Sequence, residues 1–301
     1  MHSLRHFNYF IALGLFWGVS PSLYRHLADI GMPLSHTIAV TGLGVGLAMY
    51  LIAGVRSGQW WIAPSIHRYG AICAFLMNLP FGLNLYLAGH VPPTELAIVI
   101  TLAPLVNYVL ALVTGWENAA FRRLLAIAAG LLSTLVLILT RGDIATEGVS
   151  WWLVSALAIP ILYCGYNTYA ARNWPKNANT LQAGAVESFW SGIFAVPAMI
   201  WVAAQSGDYG PALSHYWILA AACLIWIVER ISYFTLISEK GAVYTVQATY
   251  VATPAAVVIA AVFFGGANDI WLWSSLALLM LALYLNNTGR AIKPAATQPS
   301  S

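Results

Sequence analysis

Long apolar runs, separated by short polar connections, make up most of this chain. A helix that crosses a bilayer needs about 20 consecutive apolar residues. Runs of that length predict helices one to ten over residues 8–24, 34–55, 69–88, 94–115, 123–140, 151–171, 181–204, 216–238, 242–265 and 270–287. The polar tail of residues 290–301 is predicted to be disordered. The pattern therefore predicts an all-α membrane protein with ten transmembrane helices.

The basic residues are distributed unevenly between the two ends of these helices. With the N-terminus in the cytoplasm, only Arg25 and Arg141 fall on the outer side. The cytoplasmic side holds Arg5, Arg56, Arg68, Arg122, Arg123, Arg172, Lys176, Lys240, Arg290 and Lys293. Because cytoplasmic loops of membrane proteins are enriched in Lys and Arg, the distribution predicts that both termini are cytoplasmic.

The two halves of the chain show a weak internal repeat. Ala103-Pro104 in helix four matches Thr253-Pro254 in helix nine at an offset of 150 positions, and the two prolines are predicted to kink equivalent helices. Each half has five helices, so the second half enters the membrane from the opposite side. The sequence thus predicts two inverted repeats, residues 1–145 and 146–289, an arrangement found in many secondary transporters.

Composition excludes a soluble globular protein. Apolar residues make up 60% of the 301 residues and charged residues only 8%, with a mean hydropathy of +0.75, which leaves too few polar groups to cover a water-exposed surface. The sequence shows no Walker motif, metal-ligand cluster or nucleophile–base set. We therefore expect no cofactor, no ATP coupling, no enzymatic activity and no nucleic-acid partner.

Three charged residues, Glu187, Glu229 and Arg230, fall inside apolar runs. Placing an ionisable group at the centre of a bilayer costs roughly 2.5–3.5 kcal/mol on insertion scales. Such a residue is therefore first interpreted as part of a functional site. Glu187, about 10 Å from the cytoplasmic end of helix seven, has two interpretations. Either it binds a substrate amine or carries a proton, or it is a structural partner for Arg230.

Glu229 and Arg230 fall near the middle of helix eight. Adjacent helical residues point about 100° apart, so one of the two should face a cavity, and pairing with Glu187 would avoid an isolated buried charge. At the offset of 150 they match Leu79 and Pro80, which are uncharged. A purely architectural ion pair would be expected in both halves, so the asymmetry favours a role in substrate selection or proton coupling.

Helix three carries Asn78 and Asn84 on either side of Pro80. Proline kinks a helix and frees a carbonyl, and such positions often line cavities. Binding of a substrate and hydrogen bonding between helices are equally good interpretations of the two asparagines. The glycines of Gly42-x-Gly44-x-Gly46, in contrast, are predicted to allow close helix packing.

Several features, in order and spacing, carry a resemblance to a known family. They are Trp17-Gly18 followed by Ser20-Pro21 and a basic residue in helix one, Glu95 and Pro104 in helix four, Gly115-Trp116-Glu117 after it, and the small-residue face from Ala126 to Gly130 in helix five. In these features the chain resembles the drug/metabolite transporter (DMT) superfamily, specifically its EamA-type members. One departure is Ala267, which stands at the position aligned with Glu117.

The resemblance implies two five-helix repeats around a central cavity, lined by helices one to four and six to nine, with helices five and ten peripheral. It also implies alternating access and a small-metabolite substrate; bacterial members are often exporters. Aromatic residues in the helices expected around the cavity are candidates for binding, although each alone is more often core packing. They are Trp17, Tyr163, Tyr166, Trp190, Tyr233 and Tyr250.

The sequence and the resemblance together predict a secondary active transporter in a bacterial inner membrane. Its expected substrate is a small amphipathic molecule, either an amino-acid-like zwitterion or an organic cation, and its expected direction is export. The alternatives are an uptake permease of the same fold and, less favoured, an intramembrane enzyme. The expected partners are the substrate and the lipid bilayer, with a possible homodimer through the small-residue faces of helices five and ten.

Overall fold

The computed structural model describes residues 2–113, 121–141, 151–206, 215–264 and 270–287. Within these residues the regular secondary structure is helical, the helices are joined by short connections, and there is no strand. The helices are α1 (His2–Asp29), α2 (Leu34–Ser57), α3 (Pro64–Leu87), α4 (Pro93–Ile100), α5 (Ala103–Val113), α6 (Phe121–Arg141), α7 (Trp151–Ala156), α8 (Ala158–Arg172), α9 (Thr180–Ser206), α10 (Tyr216–Val246), α11 (Thr249–Phe264) and α12 (Ile270–Asn287). The all-α prediction is confirmed.

The protein is a membrane protein by the length and composition of its helices. Six segments are long and apolar enough to cross a bilayer: Leu34–Ser57, Pro64–Leu87, Pro93–Leu110, Trp151–Arg172, Thr180–Gln205 and Tyr216–Ala242. Shorter apolar stretches lie in α6, α11 and α12. Helices occupy all ten predicted runs, but the count of ten membrane crossings stays a prediction. Some predicted features lie outside the described residues: the repeat boundary at 145/146, the segments 115–117 and 265–269, and the tail.

The helices are interrupted at places that only partly follow the prolines. Pro104 is the second residue of α5, directly after the break between α4 and α5. Pro80 and Pro254 each lie within one continuous helix. The second half is interrupted instead at Gly241, whose φ of 81° departs from helical geometry inside α10, and between α10 and α11. Glycine tolerates this positive φ because it lacks a Cβ.

Helices α2 and α9 pack closely through glycines. A Cβ atom added to Gly42 would lie 2.6 Å from the backbone nitrogen of Gly192, and one added to Gly46 would lie 2.6 Å from that of Phe189. A Cβ on Gly192 would in turn lie 2.6 Å from the Leu43 nitrogen. Glycines allow backbones to approach this closely in membranes, so the predicted packing role of Gly42 and Gly46 is confirmed.

Two further helix pairs meet through hydroxyl groups. Ser133 on α6 and Ser275 on α12 hydrogen-bond reciprocally: each hydroxyl donates to the other residue's carbonyl oxygen, at 2.8 and 2.9 Å. Thr101, at the end of α4, hydrogen-bonds to Thr253 on α11 through their hydroxyls. The inner faces of α6 and α12 are therefore used within the chain, and leucines such as Leu132 lie on the exposed face of α6.

At one end of the bundle, the start of α1 is tied to the second half of the chain. Arg5 and His6 contact the Glu239 carboxylate of α10 at 2.6 and 2.5 Å. At the opposite end, the His90 ring stacks on the Trp152 ring with centroids 4.1 Å apart. The two halves of the chain are thus joined at both ends of the bundle. The cavity described below lies between these ends.

Candidate functional site

A cavity of about 120 Å³ lies between the helices near the middle of their length. Its wall comes from α1–α5 and α8–α11, and none of the described residues of α6 and α12 reaches it. These lining helices are the ones that the family resemblance assigns to a central cavity. This volume is somewhat smaller than that of an apolar cavity of about 150 Å³ that accommodates benzene, so the space suits a small molecule or one end of a larger one.

Seven of the eleven predicted binding residues lie in the wall of this cavity. They are Trp17, Asn84, Tyr163, Tyr166, Glu229, Arg230 and Tyr233. The other four, Asn78, Glu187, Trp190 and Tyr250, are not part of the wall. The sequence positions therefore converge on one site in space, although they come from four different helices.

Glu187, Glu229 and Arg230 form one ion-paired group, named here the charge cluster. Arg230 Nε lies 3.3 Å from Glu187 Oε2 and 3.5 Å from Glu229 Oε2. The exposed fractions of the side chains are 0% for Glu187, 7% for Glu229 and 13% for Arg230. Two carboxylates and one guanidinium carry a net charge of −1 when all three are ionised. Removing such a charge from water is costly unless something compensates it.

The two carboxylates of the charge cluster have different surroundings. Glu229 lies in the cavity wall, and its Oε1 accepts a hydrogen bond of 2.9 Å from the indole N–H of Trp17. Glu187 lies behind Arg230; Ser188 donates a long bond of 3.5 Å to its Oε2, and its Oε1 has no hydrogen-bond partner within the described part of the chain. A molecule in the cavity would therefore meet Glu229 and Arg230, whereas Glu187 acts on it through Arg230.

Two tyrosines and a tryptophan form the wall next to the charge cluster. The Tyr166 and Tyr233 rings stack with centroids 5.4 Å apart and planes inclined by 16°. The Tyr233 hydroxyl donates a 2.7 Å hydrogen bond to Asn167 Oδ1, and the Trp17 ring lies 6.4 Å from the Tyr233 ring. Aromatic faces beside a carboxylate suit the positive end of an organic molecule.

A second group of rings in the wall includes residues that the sequence did not single out. Phe81 lies edge-on to Trp226 with ring centroids 5.4 Å apart, and Tyr24 lies 5.6 Å from Phe81 and 6.3 Å from Trp226. All three line the cavity. Each occupies the middle or outer part of an apolar run rich in aromatic residues, so no sequence signal distinguishes it from ordinary core packing.

Two buried polar atoms in the wall have no hydrogen-bond partner among the described residues: Asn84 Oδ1 and the Tyr166 hydroxyl oxygen. Buried polar groups in proteins are normally satisfied. Asn84 Oδ1 accepts a hydrogen bond and the tyrosine hydroxyl can donate one, so the wall offers both kinds of group to a bound molecule.

The remaining predicted residues make contacts between helices. The Asn78 amide donates a 3.0 Å hydrogen bond to the Ser191 carbonyl and accepts one from the Ser191 hydroxyl, which ties α3 to α9. The Trp190 indole N–H lies 3.4 Å from His67 Nδ1. The Tyr250 hydroxyl donates a 2.6 Å hydrogen bond to the Leu283 carbonyl. For Asn78 these contacts match the interhelical interpretation.

A group of aromatic residues, named here the aromatic layer, lies between the cavity and the end of the bundle that holds Arg5. Tyr69 stacks on Tyr169 at 6.0 Å, and its hydroxyl donates a 2.9 Å hydrogen bond to the Ala170 carbonyl. Trp174 packs against both Tyr69 and Phe234. The layer thus joins α3 to α8 and α10, the same two halves that the Glu239 ion pairs join.

Metal binding finds no support in the part of the chain that the structure describes. Those residues contain no group of three or more His, Cys, Asp or Glu side chains arranged to hold a metal ion. The groups present in the wall of the cavity offer ion pairing, hydrogen bonding and contact with aromatic faces.

Comparison with known proteins gives information on the fold. No family model and no curated protein sequence matches this chain. Among solved structures, 21 chains match. One is a crystal structure described only as that of a protein, with a TM-score of 0.60 and 18% sequence identity over 91% of this chain and 96% of the other. At that identity the likeness shows a shared fold alone.

Proposed function

We propose that this protein is a secondary active transporter of a small amphipathic organic molecule. One observation carries the proposal: a cavity of about 120 Å³ near the middle of apolar helices combines an aromatic wall with Glu229 and Arg230. Ionisable residues at membrane depth mark substrate and ion pathways. An amino-acid-like zwitterion and an organic cation both fit this wall, since each brings a positive group for Glu229 and an apolar body for the rings.

The proposal includes ten transmembrane helices in two inverted repeats, with both termini in the cytoplasm. Support comes from helix pairs that meet across the two halves. Gly42 and Gly192 are separated by 150 positions, the offset of the sequence repeat, and their helices touch at these residues. Residues related by a two-fold axis contact each other only near that axis. The reciprocal bonds between Ser133 and Ser275 have the same two-fold character.

Alternating access follows as the proposed mechanism. The aromatic layer around Tyr69 and the contacts of Arg5 and His6 with Glu239 close one end of the cavity by joining the two halves. Rocking of one half against the other would separate these contacts and open the cavity to that side. Transport across a bacterial inner membrane in the direction of export is the proposed cycle. The small-residue face of α6, with Ala126 and Gly130, is buried within the chain, so a homodimer through α6 and α12 would use their exposed apolar faces instead.

The test begins with purified protein and a panel of small amines and zwitterions. Compounds that raise its thermal unfolding temperature are assayed for movement into proteoliposomes with and without a pH gradient. We expect Glu229→Gln to abolish the stabilisation by these compounds, because it removes the charge that faces the cavity. Tyr250→Phe is the matched control, since its hydroxyl bonds to Leu283 outside the wall.

The same assay separates the alternatives. Movement driven outward by the physiological pH gradient indicates export, and inward movement under that gradient indicates an uptake permease. Recovery of a chemically altered compound would indicate an intramembrane enzyme. Equal compound levels in protein-containing and empty vesicles, for every compound that stabilises the protein, would refute transport.

A further inference from the structure

The charge cluster contains one more negative group than positive groups. Glu187 and Glu229 share a single guanidinium, and all three side chains are largely shielded from water. An uncompensated charge in such a site is strongly unfavourable. The cluster reaches neutrality in one of two ways: it binds one proton, or a positive group in the cavity compensates it.

The two carboxylates are not equivalent places for that proton. Both oxygens of Glu229 have a partner, since Oε1 accepts from Trp17 and Oε2 lies 3.5 Å from Arg230. Glu187 has one oxygen near Arg230 and one, Oε1, without a hydrogen-bond partner among the described residues. Protonation of Glu187 at Oε1 therefore breaks no hydrogen bond, whereas protonation of Glu229 weakens its bond from Trp17.

Among the residues that the structure describes, the neighbours of Glu187 on the packed helices do not supply a second positive charge. The titratable groups with which it interacts are Tyr69 and Cys73 on α3, Tyr166 on α8, and Glu229, Arg230 and Tyr233 on α10. Tyrosine and cysteine in apolar surroundings are neutral near pH 7. On the remaining side, α2 packs against α9 through glycines and Met49.

We propose that Glu187 is a proton-binding site separate from the substrate site, and that Arg230 connects the two. With no positive group in the cavity, Glu187 holds a proton and Arg230 pairs with Glu229. When a cationic group reaches Glu229, Glu187 releases its proton to water and takes Arg230 as its partner. This inference rests on the proposed function. The charge balance of the cluster then requires a substrate with one net positive charge, exchanged one for one with a proton, rather than a zwitterion.

Infrared difference spectroscopy on the purified full-length protein tests the proton site without any ligand. We expect the carbonyl stretch of one protonated carboxylic acid at neutral pH. Glu187→Asp should shift or remove this band, whereas Glu229→Asp should leave it in place. Glu229→Gln should abolish it, because Glu187 and Arg230 then balance each other. Glu239→Gln, which alters an exposed ion-paired carboxylate, is the control and should leave the band unchanged.

Several outcomes would overturn the assignment. They are the lack of such a band in the wild type, a band that Glu187→Asp does not affect, a band that Glu229→Asp shifts, and a band that survives in Glu229→Gln. Size-exclusion profiles and thermal unfolding of each variant establish that it is folded. If the band behaves as expected but no compound is transported, the proposed function fails while the proton site on Glu187 stands.

A matched pair of probes tests the link to a cation. Choline and glycine betaine share a trimethylammonium group, but glycine betaine also carries a carboxylate and has no net charge. We expect choline to stabilise the protein and to remove the Glu187 band, and glycine betaine to leave the band in place. Loss of the band with both probes, or with neither, would refute the exchange of one proton for one cation.

Discussion

Replacing Arg230 by glutamine should be the most destabilising single change in the charge cluster. The substitution leaves two carboxylates in a site where Glu187 is fully buried and Glu229 almost so. With the cluster already holding one proton, the folded variant must bind a second one to become neutral. Protonating an ordinary glutamate at pH 7 costs about 3.7 kcal/mol, from a reference pKa of about 4.3 and about 1.36 kcal/mol per unit. That figure agrees with the roughly 3–5 kcal/mol lost when a buried ion pair is broken.

Because the destabilisation of Arg230→Gln comes from binding an extra proton, it depends on pH with a known sign. The Arg230→Gln variant is stable only with the extra proton bound, so its stability falls as the pH rises. At pH 5.5 the same protonation costs about 1.6 kcal/mol, which is about 2 kcal/mol less than at pH 7. The variant should therefore recover about half of its lost stability on acidification. Wild-type protein is measured at both pH values as the reference.

Unfolding in mixed detergent micelles, followed by tryptophan fluorescence, measures the free energy of unfolding for this set. The double variant Arg230→Gln with Glu229→Gln removes the second carboxylate and should regain most of the loss. Arg25→Gln is the matched control, because Arg25 forms an exposed ion pair with Asp29 at 2.8 Å and such pairs contribute about 1 kcal/mol or less. A loss below about 1 kcal/mol for Arg230→Gln, or a loss independent of pH, would contradict the buried, proton-binding cluster.

Three further predictions follow from packing and hydrogen bonding. Gly192→Ala should lower the free energy of unfolding by about 1–3 kcal/mol, because its Cβ would lie 2.6 Å from the Leu43 nitrogen. Gly165→Ala is the control and should not destabilise the protein, because nothing lies within 4 Å of the added Cβ. Equal effects of the two substitutions would contradict the tight α2–α9 contact. Trp17→Phe keeps a ring but removes the N–H that bonds to Glu229, so a loss of about 1.5–3 kcal/mol is expected, and no change in unfolding would argue against that bond. Glu239→Gln should change the free energy of unfolding by less than about 1 kcal/mol. It should nevertheless increase the thiol labelling of cysteines introduced near the aromatic layer. Unchanged labelling would show that the Glu239 contacts do not hold that end closed.

Much of the fold could be predicted because the bilayer penalises polar groups so strongly. The apolar runs gave the positions of the helices, although the runs 94–115, 151–171 and 242–265 each span a junction between two helices. The same penalty pointed to Glu187, Glu229 and Arg230 before any contact was known, and the structure joins them within 3.5 Å. Gly42 and Gly46 were also interpreted correctly, because glycine pairs in membrane helices have few uses besides close packing.

The rest of the site depends on helix rotation, which the sequence does not show. Tyr24, Phe81 and Trp226 line the cavity while Trp190 and Tyr250 pack elsewhere, although all five are aromatic residues in apolar helices. Whether such a ring meets the cavity, a neighbouring helix or lipid is decided by a rotation of the helix through a fraction of a turn. For the same reason spacing alone could not show that Glu229 faces the cavity and Glu187 lies behind Arg230.

Under the proposed inverted repeat, the charge cluster is functional chemistry added to a scaffold that does not need it. At the offset of 150, the counterpart of Glu187 is Thr37, which is likewise buried in α2. Thr37 satisfies its hydroxyl inside its own helix, by donating to the Pro33 carbonyl. The packing position therefore accepts a neutral residue at no electrostatic cost. A carboxyl group buried at the matching position of the second half needs either a bound proton or Arg230 as its partner, and Arg230 is in turn part of the wall of the cavity. Selection for packing alone would favour the neutral solution in both halves.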